Sequence, residues 1–427
     1  MKQILIVSPY FPPQTGAASS RVWSVARAAS DSGWDTTVLT TSKYPDQRHD
    51  LGADLAGLRV EEVGSRVPCW LESVRNAQKS TLTLEGAGSR GPLTRAVEWC
   101  RESKGVFASV RMPDLTDWWV RPAVERARAM AHEHGAWDVV MSSSGPYTAH
   151  LVAMELQREG LASSWVADFR DLWTANHAFS GVFPFTLRER ALERRVLALA
   201  DQVMTVSEPL ARWLGARTRA PVHSFLSGYD SASEPRAWSR PAPGERVSLV
   251  YTGQLYPRHQ DAGALLDAVR VVRDEGIDLT LRVAGGSCPQ WSRLASRCGV
   301  AEAVELLGLI EHTRAIELQR SADLLLGLEW SDPSRGVLTN KLLEYIAAGP
   351  LIVLAGPRGT MSEFVARVGC GVHLGDNSDR IARSLVALFK GTMEPLTPKP
   401  NGIERYSRAY QTRLLVDRLD ALAISTS

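Results

Sequence analysis

The sequence predicts an α/β protein built from two doubly wound domains, each a parallel sheet covered by helices. Short apolar runs alternate with amphipathic segments of helical period along most of the chain, which is the pattern of βαβ units. This pattern starts again at residue 247, after residues 231–246, which are rich in Ser, Pro and charge and read as a linker. A length of 427 residues is enough for two domains of ordinary size.

The composition excludes several classes of protein. A net charge of +2 argues against a nucleic-acid partner. The five cysteines are scattered, without a CxxC pair or histidines at metal spacing, so we expect reduced thiols, no disulfide framework and no metal site. The apolar start is too short for a signal peptide, and no run of 18 apolar residues occurs. We expect a cytoplasmic location. The 13 tryptophans, several in amphipathic stretches, leave open a peripheral contact at the inner membrane face.

The predicted N-terminal domain covers residues 1–230. It opens with the strand ILIVSP, a loop through Gly16, a helix and the strand TTVLTT, and it lacks the GxGxxG dinucleotide fingerprint. Gly16 lets the backbone of the loop approach a ligand, although a simple strand-to-helix turn explains it equally well. The pattern weakens over residues 51–113, which we interpret as an insertion, partly helical and partly loop.

Two later loops of this domain follow buried strands. WDVVMSS leads into the loop SSGPYTAH, and SSWVADF leads into FRDLW. Ligands of open α/β sheets bind at the carboxyl ends of the strands, so Arg170, Asp171 and Trp173 are predicted at the binding edge. The alternative is that Asp168, Arg170 and Asp171 form ion pairs that only hold the loop together.

The predicted C-terminal domain covers residues 247–405, with the strands VSLVYT, LTLRVA, VELLGLI and DLLLGL before its most informative stretch, residues 331–354. There a loop leads to the helix KLLEYIAA, with Thr339 and Asn340 as cap residues. Lys341 lies in the first helical turn, where the helix dipole disfavours a cation and a bound anion would remove the penalty. Glu344 shares its face. The alternative is an ordinary surface Lys–Glu pair.

The sequence SRGVLTNKLLEYIAAGPLIVLA resembles the nucleotide-sugar motif of retaining GT-B glycosyltransferases, close to glycosyltransferase family 4. SSGPYTAHL and WVADFRDLW resemble acceptor-facing loops of one branch of that group. The resemblance implies the GT-B fold, in which two Rossmann-like domains face a cleft and a C-terminal helix, residues 406–427, crosses back to the first domain. It also implies transfer of a sugar from a nucleotide diphosphate sugar, a UDP-sugar in our prediction, to a glycan, lipid-linked or small-molecule acceptor with retention of configuration.

The resemblance also implies roles for individual residues. Those predicted for catalysis are Asp171 and Arg170, and those for the donor phosphates are Gly16, Arg258, Leu338, Thr339, Asn340 and Lys341. Glu344 would bind the ribose, the backbone of Leu309 and Ile310 the nucleobase, and Gly336, Val337, Trp173 and Tyr147 the sugar or the acceptor.

Two departures from the family pattern accompany these roles. Gly336 stands where the Glu-x7-Glu pattern has its first glutamate, and Gln254 stands where an arginine is usual. Two further interpretations therefore stay open: an epimerase or hydrolase of nucleotide sugars, and a catalytically silent nucleotide-sugar-binding partner. No Asp-x-Asp triplet occurs in the sequence, so we expect turnover without a metal or other cofactor.

Overall fold

The computed structural model describes most of the chain, and the chain divides into two compact units. The described residues are 2–14, 16–43, 47, 54–67, 92–176, 178–230, 233, 236, 238, 240–242, 244–257, 259–332, 338–393 and 402–425. The first unit comprises Met1–Ser227 and Gln411–Ser427, and the second comprises Gly228–Tyr410. The division after Ser227 places the predicted linker, residues 231–246, in the second unit.

The first unit is built on a seven-stranded parallel sheet of order β3-β2-β1-β4-β5-β6-β7. Its strands are β1 (Gln3–Val7), β2 (Asp35–Thr41), β3 (Leu58–Val63), β4 (Trp137–Ser144), β5 (Ala162–Phe169), β6 (Gln202–Thr205) and β7 (Val222–Ser224). Its helices before the chain passes to the second unit are α1 (Ala17–Asp31), α2 (Pro92–Lys104), α3 (Val120–His134), α4 (Thr148–Arg158), α5 (Phe185–Leu199) and α6 (Glu208–Gly215). The apolar runs of the sequence form the central strands, because both faces of a parallel sheet are covered.

The strand β3 corrects the prediction that residues 51–113 are an insertion of helix and loop only. Thr36–Thr41 of β2 pair in parallel with Leu58–Val63, so this strand extends the main sheet. Its sequence, LRVEEV, is half charged and partly exposed, as suits the edge of a sheet. A strand of this kind lacks the continuous apolar run by which the inner strands were recognised.

The second unit is a six-stranded parallel sheet of order β10-β9-β8-β11-β12-β13. Its strands are β8 (Val247–Thr252), β9 (Leu279–Ala284), β10 (Val304–Gly308), β11 (Leu324–Leu328), β12 (Leu351–Ala355) and β13 (Gly371–Gly375). Its helices are α7 (Ala262–Asp274), α8 (Cys288–Arg297), α9 (His312–Ser321), α10 (Asn340–Ala348), α11 (Thr360–Val368) and α12 (Ser378–Lys390). The strand order reverses direction between β8 and β11, and such a switch point is where doubly wound sheets bind ligands.

The last helix, α13 (Arg408–Ser425), supplies residues to the core of the first unit. Leu415, Val416 and Leu419 are buried together with Ile4 and Ile6 of β1. The predicted fold class, two Rossmann-like domains with a C-terminal helix returning to the first, is therefore confirmed. No helix among the described residues is both long enough and apolar enough to cross a bilayer.

Candidate functional site

The loops that follow β8 and β11, on the two sides of the switch point in the second sheet, are fastened to each other. The backbone amide of Ser331 donates to the carbonyl of His259 at 2.7 Å. The Gln260 side-chain amide donates to the carbonyl of Leu328 at 2.9 Å. The Trp330 ring lies 5.3 Å from the ring of His259, centroid to centroid. These contacts hold the two loops in a fixed arrangement beside the carboxyl ends of the strands.

The helix that follows β11 presents an uncapped N-terminus at this place. Thr339 occupies the cap position of α10, as predicted, but its side chain accepts no hydrogen bond from the first turn. Its hydroxyl lies instead 3.7 Å from the sulfur of Met361. The first amides of a helix have no partner within the helix, so those of α10 are available to an external acceptor. Leu338, Thr339 and Asn340 thus occupy the positions from which the sequence predicts contact with an anion.

Lys341, in the first turn of α10, is buried at its charged end, and among the described residues its ammonium has neither a hydrogen-bond acceptor nor an ion-pair partner. Its Nζ is inaccessible to solvent and makes no hydrogen bond to any described residue. The ammonium lies over the ring of Tyr251, 3.8 Å from the centroid. A side chain at Gly253 would bring its Cβ to 3.9 Å from Nζ, so Lys341 reaches the carboxyl end of β8. The unpaired cation therefore lies at the switch point itself.

The surroundings of Lys341 disfavour its charge. Burial lowers the pKa of Lys341 to about 7, although the nearby Glu344 raises it. The face of an aromatic ring attracts a cation but replaces only part of the lost hydration. A phosphate group bound here would supply both the missing hydrogen-bond acceptors and the missing negative charge.

Glu344, one turn further along α10, faces a cavity of about 380 Å³ within the second unit. His312 and Thr313 of α9, Asp230 and Arg408 also line this cavity. The side-chain amide of Gln319 donates to Oε2 of Glu344 at 3.4 Å and to the hydroxyl of Thr252 at 3.0 Å. Glu344 is therefore no ordinary surface residue, because its carboxylate is oriented and open to a cavity of ligand size.

The residues predicted for the nucleobase lie at the end of β10. Leu309 is 65% exposed, and with Ile310 it forms the short link to α9, whose first residues line the Glu344 cavity. A Cβ added at Gly286 would lie 3.9 Å from Leu309 and 3.4 Å from the side chain of Gln254. The carboxyl ends of β8, β9 and β10 thus converge near this exposed leucine.

Three predicted site residues, Arg258 for the donor phosphates and Gly336 and Val337 for the sugar or acceptor, lie outside the described residues. The structure does show that Glu329, which precedes Gly336 by seven positions, is not a substitute for the missing first glutamate of the pattern. Its carboxylate is buried and accepts a hydrogen bond from the backbone amide of Ser362 at 2.6 Å. Burial raises the pKa of Glu329, and its carboxylate is already used as a hydrogen-bond acceptor at the start of α11.

At the carboxyl edge of the first sheet, ion pairs and hydrogen bonds between side chains hold the loops and strands together. Arg21 of α1 binds Asp168 of β5 through two hydrogen bonds of 3.2 and 2.9 Å, and both side chains are buried. Arg21 also donates to the carbonyl of Phe225 at 2.9 Å. Burial acts to raise the pKa of Asp168, but Arg21 and the hydroxyl of Ser143 outweigh it and the net shift is downward. Asp168 is a structural anion that fixes α1 against β5.

Arg170 and Asp171 do not join Asp168 in one cluster of ion pairs. The guanidinium of Arg170 donates to the carbonyls of Ser144 and Gly145, which fastens the loop after β5 to the loop after β4. Burial lowers the pKa of Arg170, while the neighbouring Asp171 and Asp168 raise it. Asp171 is exposed as a residue, and its carboxylate accepts no hydrogen bond from the described residues, but desolvation of the carboxyl raises its pKa while the charge of Arg170 acts to lower it. Of the three residues, Asp171 is the one whose functional group makes no hydrogen bond to the described residues, so it is the candidate to contact a ligand.

Trp173 and Tyr147 are core residues, which corrects the prediction that they offer a surface to a sugar or acceptor. Their rings stack on each other, with centroids 4.8 Å apart and planes 6° apart. Both are buried, and the Tyr147 hydroxyl donates to Asp117. The indole N–H of Trp173 donates to Glu189 at 3.2 Å. Each ring face is used in packing, so neither residue presents one to a sugar.

The loop that contains Asp171 is held by a buried ion pair that the sequence analysis missed. Arg111 binds the carboxylate of Glu189 at 2.9 Å, and Glu189 also accepts from the backbone amide of Met112 at 2.8 Å. Arg111 donates further to the carbonyls of Thr174 and Phe179, at 3.2 and 3.1 Å. This network holds Trp173, Thr174 and Phe179, which come soon after Asp171 in the sequence. The pairing joins residues far apart in sequence, and no local pattern marks it.

Gly16 is the residue immediately before α1, at the end of the loop that follows β1. Its φ of 126° is unfavourable for residues with a Cβ, and the space around it is otherwise open. No side chain caps the first turn of α1. In that turn, the buried hydroxyl of Ser19 has no hydrogen-bond partner among the described residues. The predicted anion-facing loop therefore has free donors of its own.

The described residues contain no group of three or more His, Cys, Asp or Glu side chains arranged to hold a metal ion. The prediction of turnover without a metal remains a prediction. Tyr251, whose ring lies under the Lys341 ammonium, and Trp330, which packs on His259, were not singled out from the sequence. The one available signal was their position at the carboxyl ends of β8 and β11, on the two sides of the switch point.

Comparison with known proteins finds one matching family model and several solved structures of similar fold. Residues 246–390 match the sequence model of the family described as Glycosyl transferases group 1. No match to the chain is found among curated proteins. The apo lipopolysaccharide outer core galactosyltransferase WaaB is structurally similar, with a TM-score of 0.61 at 12% identity over 100% of both chains.

Two further solved structures show the same architecture. Anabaena HepE in complex with UDP has a TM-score of 0.57 at 14% identity, over 100% of this chain and 98% of that one. Sucrose-phosphate synthase from Thermosynechococcus elongatus has a TM-score of 0.57 at 13% identity, over 100% of this chain and 97% of that one. The chain therefore has the GT-B fold, and the part of it that matches the model described as Glycosyl transferases group 1 is residues 246–390 of the second unit.

Proposed function

We propose that the protein transfers a sugar from a nucleotide diphosphate sugar to an acceptor hydroxyl, with retention of configuration at the anomeric carbon. The observation that carries the proposal is the unpaired, buried ammonium of Lys341 beside the uncapped start of α10. A buried cation without a partner is costly, and a diphosphate is the ligand that this arrangement would stabilise. The match of residues 246–390 to the glycosyltransferase family model supports the same interpretation.

The donor in this proposal is a UDP-sugar. Its diphosphate lies on the first amides of α10 and on Lys341, and Glu344 accepts hydrogen bonds from the ribose hydroxyls in the neighbouring cavity. The uracil lies against the link formed by Leu309 and Ile310, which the structure leaves exposed. The presence of UDP in the similar HepE structure supports this choice of nucleotide.

The chemistry asks the protein chiefly to stabilise the leaving group. As the bond between the anomeric carbon and the diphosphate oxygen breaks, negative charge grows on the diphosphate, where Lys341 and the helix amides are already placed. The acceptor oxygen attacks the same face of the sugar, and its proton passes to the departing phosphate oxygen. Asp171 orients the acceptor hydroxyl, and Arg170 holds the loop on which Asp171 lies.

The donor assignment is tested by calorimetric titration of the full chain with UDP-, GDP-, ADP- and TDP-sugars. We expect one nucleotide to bind best, with UDP as the leading candidate, and we expect Lys341→Met to weaken that binding. Lys390→Met is the matched control, because Lys390 is an exposed helical lysine of the same unit that pairs with Glu275 at 2.7 Å. Equal binding by both variants and the wild type would remove Lys341 from the donor site.

The reaction itself is tested by incubating the best donor with a panel of acceptors and analysing the products. Sugar transfer that survives an excess of chelator is the expected result, with the anomeric configuration read by NMR. Donor turnover in the absence of any acceptor would instead indicate an epimerase or hydrolase. Binding without turnover across the whole panel would indicate a silent nucleotide-sugar-binding protein, as the glycine at position 336 first suggested.

A further inference from the structure

The helix α5 distributes its charges unevenly between its two sides. Its sequence, FTLRERALERRVLAL, contains four arginines and two glutamates. Both glutamates are buried: Glu189 binds Arg111, and Glu193 accepts from the backbone amide of Thr174 at 3.2 Å. The arginines are all exposed, namely Arg188, Arg190, Arg194 and Arg195. The solvent side of the helix therefore carries four positive charges and none of its negative ones.

Three of these arginines lack an opposing charge among the described residues. Arg188 lies beside Asp117 and shares a surface groove with Glu125 and Glu155, so its charge is partly balanced. Arg190, Arg194 and Arg195 take part in no ion pair within the described parts of the chain. We refer to these three residues as the basic face of α5.

Exposed apolar side chains continue this surface at the N-terminal end of the helix. Phe183 is 75% exposed and Leu187 is 55% exposed, and Phe185 between them is also exposed. Phe185 and Leu187 are two positions apart on the helix and therefore project from different sides of it. We call the two most exposed of these residues, Phe183 and Leu187, the apolar edge.

The helix α2 adds a tryptophan at the same end of α5. The backbone amide of Gly181 donates to the carbonyl of Lys104 at 3.0 Å, and Nζ of Lys104 donates to the hydroxyl of Ser180 at 3.2 Å. The end of α2 is thus joined to the residues that lead directly into Phe183. Trp99, which is 57% exposed, lies about 7.5 Å back along α2 from Lys104.

We propose that this surface of the first unit docks onto an anionic lipid bilayer. Phe183, Leu187 and Trp99 enter the headgroup region, and the basic face binds the lipid phosphates. Large exposed apolar side chains beside unpaired arginines are the combination that interfacial helices use. A nucleic acid would use the arginines but would leave the apolar edge in water, and an overall net charge of +2 gives it little long-range attraction.

The proposal is tested by flotation of the full chain with vesicles of phosphatidylcholine, with and without phosphatidylglycerol. We expect binding only to the vesicles that contain phosphatidylglycerol, and we expect added salt to weaken it. The triple variant R190Q/R194Q/R195Q is expected to bind roughly 100-fold more weakly, at about fivefold for each arginine near the surface. The double variant F183S/L187S is expected to lose about tenfold.

Matched variants in the second unit separate this site from a general effect of charge or apolar area. R293Q/R367Q/R383Q removes three exposed helical arginines, and V271S/L306S removes two exposed apolar side chains. Both controls should float like the wild type. Absence of wild-type flotation would overturn the proposal, and so would equal losses in the patch and control variants. Self-association without lipid that F183S/L187S abolishes would also overturn it, by showing a protein interface. None of these outcomes depends on whether the donor binds at Lys341.

Discussion

The carboxyl edges of the two sheets differ in whether their buried charged groups have hydrogen-bond or ion-pair partners. In the first unit, Asp168 is paired with Arg21, and Arg170 is bound to two carbonyls. In the second unit, the ammonium of Lys341 is inaccessible to solvent, yet it has no hydrogen-bond partner among the described residues. Burying an unpaired charge destabilises a fold. Its presence therefore indicates a role in function rather than in stability. At the edge of the first sheet, the buried charges hold the loops in place. At the edge of the second sheet, the buried charge of Lys341 lacks a counter-charge that a bound ligand would supply.

The largest expected effect comes from breaking the paired edge. Arg21→Met leaves Asp168 buried without its cation, and we expect the free energy of unfolding to fall by about 3–5 kcal/mol. Lys341→Met, at the unpaired edge, removes a buried charge without leaving another unpaired, so stability should be unchanged or increased. Chemical denaturation of the two variants measures the difference directly.

The control for this prediction is the double variant Arg21→Met with Asp168→Asn, which removes both charges and should recover part of the lost stability. Equal losses in Arg21→Met and Lys341→Met would show that the two edges do not differ in the way proposed here.

Asp171 is the exception at the paired edge, and its variant tests whether that edge also takes part in the chemistry. Because Asp171 is an exposed residue whose carboxylate accepts no hydrogen bond from the described residues, Asp171→Asn should leave the melting temperature and the donor affinity nearly unchanged. A role in orienting the acceptor hydroxyl predicts a fall in transfer rate of about 100-fold or more. Near-normal transfer by a folded variant would remove Asp171 from the reaction.

The two edges also differ in how far the sequence predicted them. The start of α10, the place of Lys341 in its first turn and the neighbouring Glu344 all lie within one local stretch, and propensity and helix capping were sufficient to predict them. Most strands of both sheets were similarly readable from their apolar runs, but β3, β7 and β13 were not predicted. Trp173 and Tyr147 could not be read in this way, because the stacking of their rings depends on a tertiary contact between loops after different strands.

Long-range pairs were invisible for the same reason. Asp168 was recognised as a charged residue near a loop, but its partner, Arg21, lies 147 positions away in the sequence. The edge strand β3 was missed because half of its residues are charged, and a charged edge resembles a loop in sequence. Local patterns thus predict where a chain can bind a ligand more readily than which buried groups hold the binding loops.

Lys341→Met should weaken binding of the nucleoside diphosphate by about 1.5–3 kcal/mol, the contribution of a hydrogen bond to a charged group. The loss should appear with UDP alone as well as with a UDP-sugar, because the sugar makes no contact with the lysine in this proposal. Isothermal titration of wild type, Lys341→Met and Lys390→Met measures it. A loss confined to the sugar-bearing ligand would reassign Lys341 from the phosphates to the sugar.

Glu344 should distinguish ribose from deoxyribose. If its carboxylate accepts the ribose hydroxyls, the wild type should prefer UDP to its 2′-deoxy and 3′-deoxy analogues by about 1.5 kcal/mol or more, and Glu344→Gln should reduce that preference. Competition binding with the three nucleotides gives the preference for both proteins. Equal affinity of the wild type for all three would leave Glu344 with only its contact to Gln319.

The smallest effect, and the one most specific to the unpaired edge, is the dependence of donor binding on pH. Burial lowers the pKa of Lys341 to about 7, so near neutrality the free protein is a mixture of ammonium and neutral amine. A diphosphate binds the ammonium form and raises its pKa, so binding must be accompanied by proton uptake. Affinity should therefore fall as the pH rises above 7, by at most tenfold per unit.

Titrations in two buffers of different ionisation enthalpy measure the protons taken up. The wild type should take up more protons on binding UDP than Lys341→Met does. Because the phosphate of UDP itself titrates near pH 6, a UDP-sugar without a terminal phosphate is the better ligand for the comparison. An uptake that persists unchanged in Lys341→Met would place the titrating group elsewhere and leave Lys341 fully charged before the ligand arrives.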